Sequence, residues 1–179
     1  MTGKNIAVVA YDWLATIQKW LTVGALTICL GLVVLELILR NVIRVSLFGT
    51  PELAILSAWW FYMFGASLGA WERTHIKAEI LLVFVKNNER GRAIVRTVSS
   101  ALTVFLSAVV TSWAVIYIER SFELQRTSPY LRIPMLWAQA PILIGLALMT
   151  FYFTVELVDN VLQLTGKRPV DVYFEGGES

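Results

Sequence analysis

Hydrophobic residues fall into four long blocks, 21–35, 53–71, 97–118 and 133–155, and none of these contains a charged residue. A helix needs about 18 or more such residues to cross a bilayer, and the last three blocks reach that length directly. The first reaches it by taking in Glu36 and continuing to Leu39. The pattern predicts an all-α integral membrane protein with four transmembrane helices, at about 20–39, 52–71, 97–118 and 134–156. Pro51 and Glu52 suit the first turn of the second span, where the proline's missing N–H is no loss and an acid meets the positive end of the helix dipole. Pro134 opens the fourth span similarly. Pro141 lies inside that span, where it removes a hydrogen bond to the Trp137 carbonyl and predicts a kink.

Two further stretches have the periodicity of helices lying on a membrane. At about 5–19, Ile6, Val9, Ala10, Trp13, Ile17 and Trp20 recur at steps of three and four, with Asn5, Asp12, Thr16 and Lys19 on another face. At about 75–87, Ile76, Ile80, Val83 and Phe84 form a stripe beside Lys77, Glu79 and Lys86, and Asn87, Asn88 and Gly91 then mark a turn. Both are expected to be amphipathic interfacial helices, with ordinary connecting loops as the alternative. Residues 1–164 read as a single membrane domain and 165–179 as a polar tail.

Four spans divide the 15 basic residues into five arginines on one side, Arg40, Arg44, Arg120, Arg126 and Arg132, and ten on the other. The positive-inside rule then makes both termini, and the tail, cytoplasmic. The N-terminus has only Lys4 before a short apolar stretch and no small-residue cleavage site, so the first helix is expected to remain in the mature protein. Composition agrees with a lipid environment: 57% of residues are hydrophobic and 16% charged, against about 25% charged in soluble domains.

Candidate chemistry is sparse. One cysteine, Cys29, excludes an internal disulfide framework, and one histidine, His75, excludes bis-histidine haem ligation or a multi-histidine zinc site made by this chain alone. The Thr165-Gly166-Lys167 stretch lacks the preceding glycine of a phosphate loop. No catalytic role, cofactor, metal or nucleic-acid partner is expected. Glu36 is the one acid set within a span rather than at its first or last residue, roughly 24 Å along the helix from Trp20 and so near the edge of a hydrocarbon layer of about 30 Å. Arg40 follows at i+4, the favourable order for an ion pair on one helix face. A structural pair, a contact with a partner subunit, and ion coupling are the three readings of Glu36.

Gly65 and Gly69, with Ala66 and Ala70, give the second span a small-residue face of the G-x-x-x-G kind, suited to internal packing or to a second protein. Trp13, Trp20, Trp71, Trp113 and Trp137 sit near span boundaries as interface anchors, while Trp59 and Trp60 lie deeper, where contact with another helix is expected. A transporter working alone places ionisable or unwound-helix groups near the midplane. These spans offer only Glu36 and scattered hydroxyls, which reads as a packing partner.

The order of features resembles the DctQ-type small membrane subunit of tripartite ATP-independent periplasmic (TRAP) transporters, over most of the chain. The matching parts are Glu52, Trp59, Trp60, Gly65 and Gly69, then His75-Ile76, then the stretch from Thr127 to Pro134 with Trp137, Pro141 and Gly145. Lys77-Ala78-Glu79 after His75-Ile76 departs from the family's usual valine or aspartate. The resemblance implies an inner-membrane complex with a large many-span subunit and a periplasmic substrate-binding protein, with membrane lipids around it. In that family the large subunit carries the sodium and substrate sites and moves like an elevator during uptake of organic acids, and the small subunit extends the fixed scaffold. Trp59, Trp60, Gly65, Gly69 and Glu36 are then expected to meet the large subunit. Arg40, Arg44, Arg126 and Arg132 are expected to dock the binding protein, because basic loops orient an acidic surface. The competing reading is an independent multidrug or cation exporter that dimerises around Glu36; a redox anchor would need haem ligands from another chain.

Overall fold

The computed structural model describes residues 6–45, 49–72 and 89–165. Four helices make up almost all of it: α1, Ile6–Ile38; α2, Thr50–Trp71; α3, Glu89–Glu123; and α4, Leu136–Leu164. All four are long and apolar enough to cross a membrane. The expected segment at 75–87, with His75, lies outside the described residues. The stretch expected on the surface at 5–19 and the first span form one uninterrupted helix, which a π-helical turn, Leu39–Ile43, extends. Helix α4 continues through Pro141, whose side chain is fully buried.

The helices stand in a row, α1–α2–α4–α3, with α1 antiparallel to α2 and α3 to α4, while α2 and α4 run parallel. Backbones approach closely between α1 and α2, α2 and α4, and α4 and α3, and between no other helix pair among the described residues. Burial follows that order. Of the most apolar 18 residues in each helix, 22% are buried in α2 and in α4, 6% in α3 and none in α1. A row of helices has two broad faces and two edges, so much apolar surface stays open: Trp13 is 65% exposed, Trp20 72% and Trp113 66%. Surface of that extent is untenable in water. Hydrocarbon accepts it, and in hydrocarbon helices hold together by close approach and by hydrogen bonds rather than by expulsion of water.

Both devices are present. At the α2–α4 crossing, a side chain on Gly145 would stand 2.8 Å from Met63 Cβ and 2.9 Å from the Met63 carbonyl oxygen, so only glycine permits the contact. Along α4–α3, small and polar residues fill a seam at steps of three and four, the spacing of helices that pack at a shallow angle. There Asn160 Nδ2 donates to Ser100 Oγ at 2.6 Å, the Thr111 and Thr150 hydroxyls meet at 2.9 Å, and Gln139 Nε2 donates to the Tyr117 hydroxyl at 3.1 Å. Between α1 and α2, Cys29 Sγ lies 3.5 Å from the Ala54 carbonyl oxygen.

Aromatic side chains gather at the end of the row where α1 starts and α2 ends. Ala70, Tyr152 and Phe153 are buried there, with Tyr11, Leu14, Trp71 and Val104 packed against them. The Tyr152 hydroxyl donates to Gln18 Oε1 at 2.7 Å, and Tyr11 meets the Tyr152 ring edge-on at 5.3 Å. These contacts carry α1 across to α4 at this Tyr152 end.

Candidate functional site

The opposite end, where α1 leads to α2 and α3 to α4, carries a pocket. Each wall arises from local sequence. Helix α1 stops at Arg44, whose backbone is left-handed (φ 56°) and whose N–H bonds back to the Leu39 carbonyl, as does that of Val45 at 3.2 Å. Helix α2 starts after Gly49, at φ 106°, where a side chain would be strained. Helix α3 ends at Glu123, and the chain folds into a small hairpin in which Thr127 bridges Pro134. Ser128 N–H donates to the Ile133 carbonyl at 2.9 Å and Met135 N–H to that of Arg126 at 2.8 Å.

The hairpin tip is clamped to the start of α2. Glu52 Oε2 accepts from Leu131 N–H at 3.0 Å, and the Leu131 side chain covers Gly49, whose absent Cβ would lie 2.9 Å from Leu131 Cδ2. Beneath the clamp lies a half-open cavity of about 540 Å³, lined by Glu36 of α1, by Ile55 and Trp59 of α2, and by Tyr130, Ile133 and Met135 of the connection. Among the described residues its lining includes two carboxylates, Glu36 and Glu52, and no basic residue. Glu36 Oε2 is buried with no hydrogen-bond partner, as is Ser128 Oγ.

Among the described residues Glu36 makes no ion pair with Arg40. Arg40 falls in the π-helical turn that extends α1 and is exposed, and the pair that the i+4 spacing suggested is not formed.

The other expected site residues divide into inward and outward groups. Trp60 is half-buried with its ring 5.5 Å from that of Phe64. Gly65 faces α1, 3.9 Å from Thr22 Cγ2 where its side chain would start, and Gly69 precedes the buried Ala70. All three are partly buried within the chain. Trp59, 39% exposed, continues with Ile55 and Tyr62 as an outward stripe on α2. Arg40, Arg44, Arg126 and Arg132 are all exposed on the two connections at the pocket's end, and the Glu52–Leu131 clamp joins those connections.

Sequence reasoning missed the polar residues that fasten the helices. Gln18 on α1 and Gln139, Thr150 and Asn160 on α4 are polar positions inside or beside apolar blocks, and that is the signal by which they are found. Gly145 stands out in the sequence only as part of a family pattern. Its own sign is a glycine at i+4 from Pro141, both on the buried face of α4. Among the described residues no group of three or more histidine, cysteine or acidic side chains is placed to hold a metal.

A row of four membrane-crossing helices, with both broad faces apolar and only a thin core of its own, defines an integral membrane protein whose form suits a component of an assembly. The family model for tripartite ATP-independent periplasmic transporters, DctQ component, matches residues 29–163, from the middle of α1 to the end of α4. The chain belongs to this family and is a TRAP transporter component. No individual curated protein matches it.

Proposed function

We propose that the chain is the small scaffold subunit of a sodium-coupled, binding-protein-dependent secondary transporter for organic acids, bracing a large elevator-type subunit in the inner membrane. The observation that carries this is the row of helices with unclosed apolar faces: a polar route through one layer of helices has no second wall, whereas such a layer gives a moving neighbour a broad fixed surface. Coupling ion, substrate and elevator partner come from the family resemblance. Of the residues expected to meet the large subunit, Trp59 is exposed, and with Tyr62 it gives α2 an outward face for that contact.

Both termini lie in the cytoplasm in this reading, and the pocket end faces the periplasm. There the exposed Arg40, Arg44, Arg126 and Arg132 orient the substrate-binding protein through its acidic surface. Reversing Arg126 and Arg132 to glutamate is expected to lower uptake several-fold at limiting binding protein while leaving membrane assembly intact. Unchanged uptake would remove these residues from docking.

Co-purification tests the function as a whole. The tagged chain, extracted in mild detergent from its native host, should bring a many-span membrane protein in equal amount. Recovery of the chain alone as a homodimer would favour the exporter reading, which the unpaired Glu36 keeps in play; a Glu36→Gln variant with full transport would then end that alternative.

A further inference from the structure

The cavity beneath the Glu52–Leu131 clamp has the chemistry of a binding site that the scaffold role does not require. Its walls are mostly apolar, and among the described residues that line it two are acids and none is a lysine, arginine or histidine. Glu52 is engaged by the Leu131 N–H. Glu36 is not engaged: Oε2 is buried without a hydrogen-bond partner and no cation of this chain pairs with it among the described residues. A carboxylate in that position is costly unless a cation or donor meets it. Two aromatic residues, Trp59 and Tyr130, share the lining, and aromatic faces attract ammonium groups.

The occupant must therefore bring a cation and an apolar body together. At about 540 Å³ the cavity exceeds what one side chain fills. It opens where Ile55 is 61% exposed on a membrane-crossing helix, so a bilayer lipid reaches it without leaving the membrane. We propose that this cavity binds the headgroup of phosphatidylethanolamine, its primary ammonium donating to Glu36 and lying against Trp59 and Tyr130, with the first carbons of an acyl chain along Ile55. A primary ammonium offers three N–H donors to the carboxylate, a quaternary choline offers none, and an anionic headgroup is repelled.

Native mass spectrometry of the full-length chain, in whatever complex it is isolated, tests this in nanodiscs of phosphatidylglycerol mixed with either phosphatidylethanolamine or phosphatidylcholine. The expected result is one retained phosphatidylethanolamine per chain, with phosphatidylcholine and phosphatidylglycerol retained about tenfold less, the factor that corresponds to one charge-assisted hydrogen bond. Glu36→Gln should abolish the preference. Ile55→Trp, which fills the cavity and leaves the carboxylate in place, should do the same, so a folding defect in one variant does not decide the matter. Equal retention of all three lipids, or retention of phosphatidylethanolamine unchanged in both variants, overturns the proposal. So does a carbodiimide cross-link from Glu36 to a lysine of a partner protein, which would make the occupant a side chain. The inference uses only the membrane placement of α2, and its outcome is independent of whether a large subunit co-purifies.

Discussion

At the scale of single residues, stability in this chain rests on polar atoms placed where apolar ones would be expected. The Tyr152 hydroxyl and Gln18 Oε1 meet at 2.7 Å in a buried position, while Gln18 Nε2 has no partner. Tyr152→Phe removes the single bond that Gln18 makes through its side chain and leaves its whole amide unsatisfied, at a cost of about 1–3 kcal/mol. A lower melting temperature in detergent is the expected outcome. The double variant Gln18→Leu, Tyr152→Phe replaces both partners by apolar groups and should recover most of the loss. Additive losses in that cycle would show that the bond is not the stabilising element.

At the scale of elements, the helices were legible and their faces were not. Four apolar blocks between charged ends were enough to place α2 at 52–71 against an observed Thr50–Trp71. Helices α1, α3 and α4 run further than their spans because a helix continues past the hydrocarbon wherever its charged ends can reach water. The stripe of Trp13, Ile17 and Trp20 reads as apolar surface, and all three are exposed. Sequence periodicity alone leaves the third face unnoticed: Tyr11, Leu14, Ala15 and Gln18 turn inward. In lipid the outside of a bundle is its more apolar side, so the largest hydrophobic stripe marks the environment and the small or polar one marks the neighbour. The same inversion hides the α3–α4 seam. At the α2–α4 crossing the limiting contact is backbone, since a Gly145 side chain would collide with the Met63 carbonyl oxygen. Gly145→Ala should therefore destabilise by about 1–3 kcal/mol, where Gly24→Ala, with nothing within 4 Å of the added methyl, should not. Thermal melts of the two variants side by side provide the check.

For the whole molecule, the row α1–α2–α4–α3 makes two hairpins, α1 with α2 and α3 with α4, joined along α2 and α4. The family was legible from the spacing of features along the chain, because glycine, proline and tryptophan positions form a pattern even where their partners are unknown. The pocket was not legible. It depends on a 79-residue separation in sequence between Glu52 and Leu131, which no local pattern reports. Placing the pocket end in the periplasm has a direct measurement. With Cys29→Ala as background, a cysteine at Arg126 should react with a membrane-impermeant maleimide in intact spheroplasts, and one at Arg96 should react only after lysis. The reverse pattern would invert the chain.

The π-helical turn Leu39–Ile43 amounts to one surplus residue wound into the end of α1. Its consequence is one of phase. Removing a single residue there, Asn41 for instance, would let the turn relax to ordinary α-helix and rotate the chain beyond it by about 100°, carrying Arg44 round the helix axis while Glu36, which precedes the turn, stays in place. The deletion variant should therefore lose uptake at limiting binding protein and keep its preference for an ethanolamine headgroup. One surplus residue, silent in composition and in hydropathy, is in this sense what aims the connection to α2.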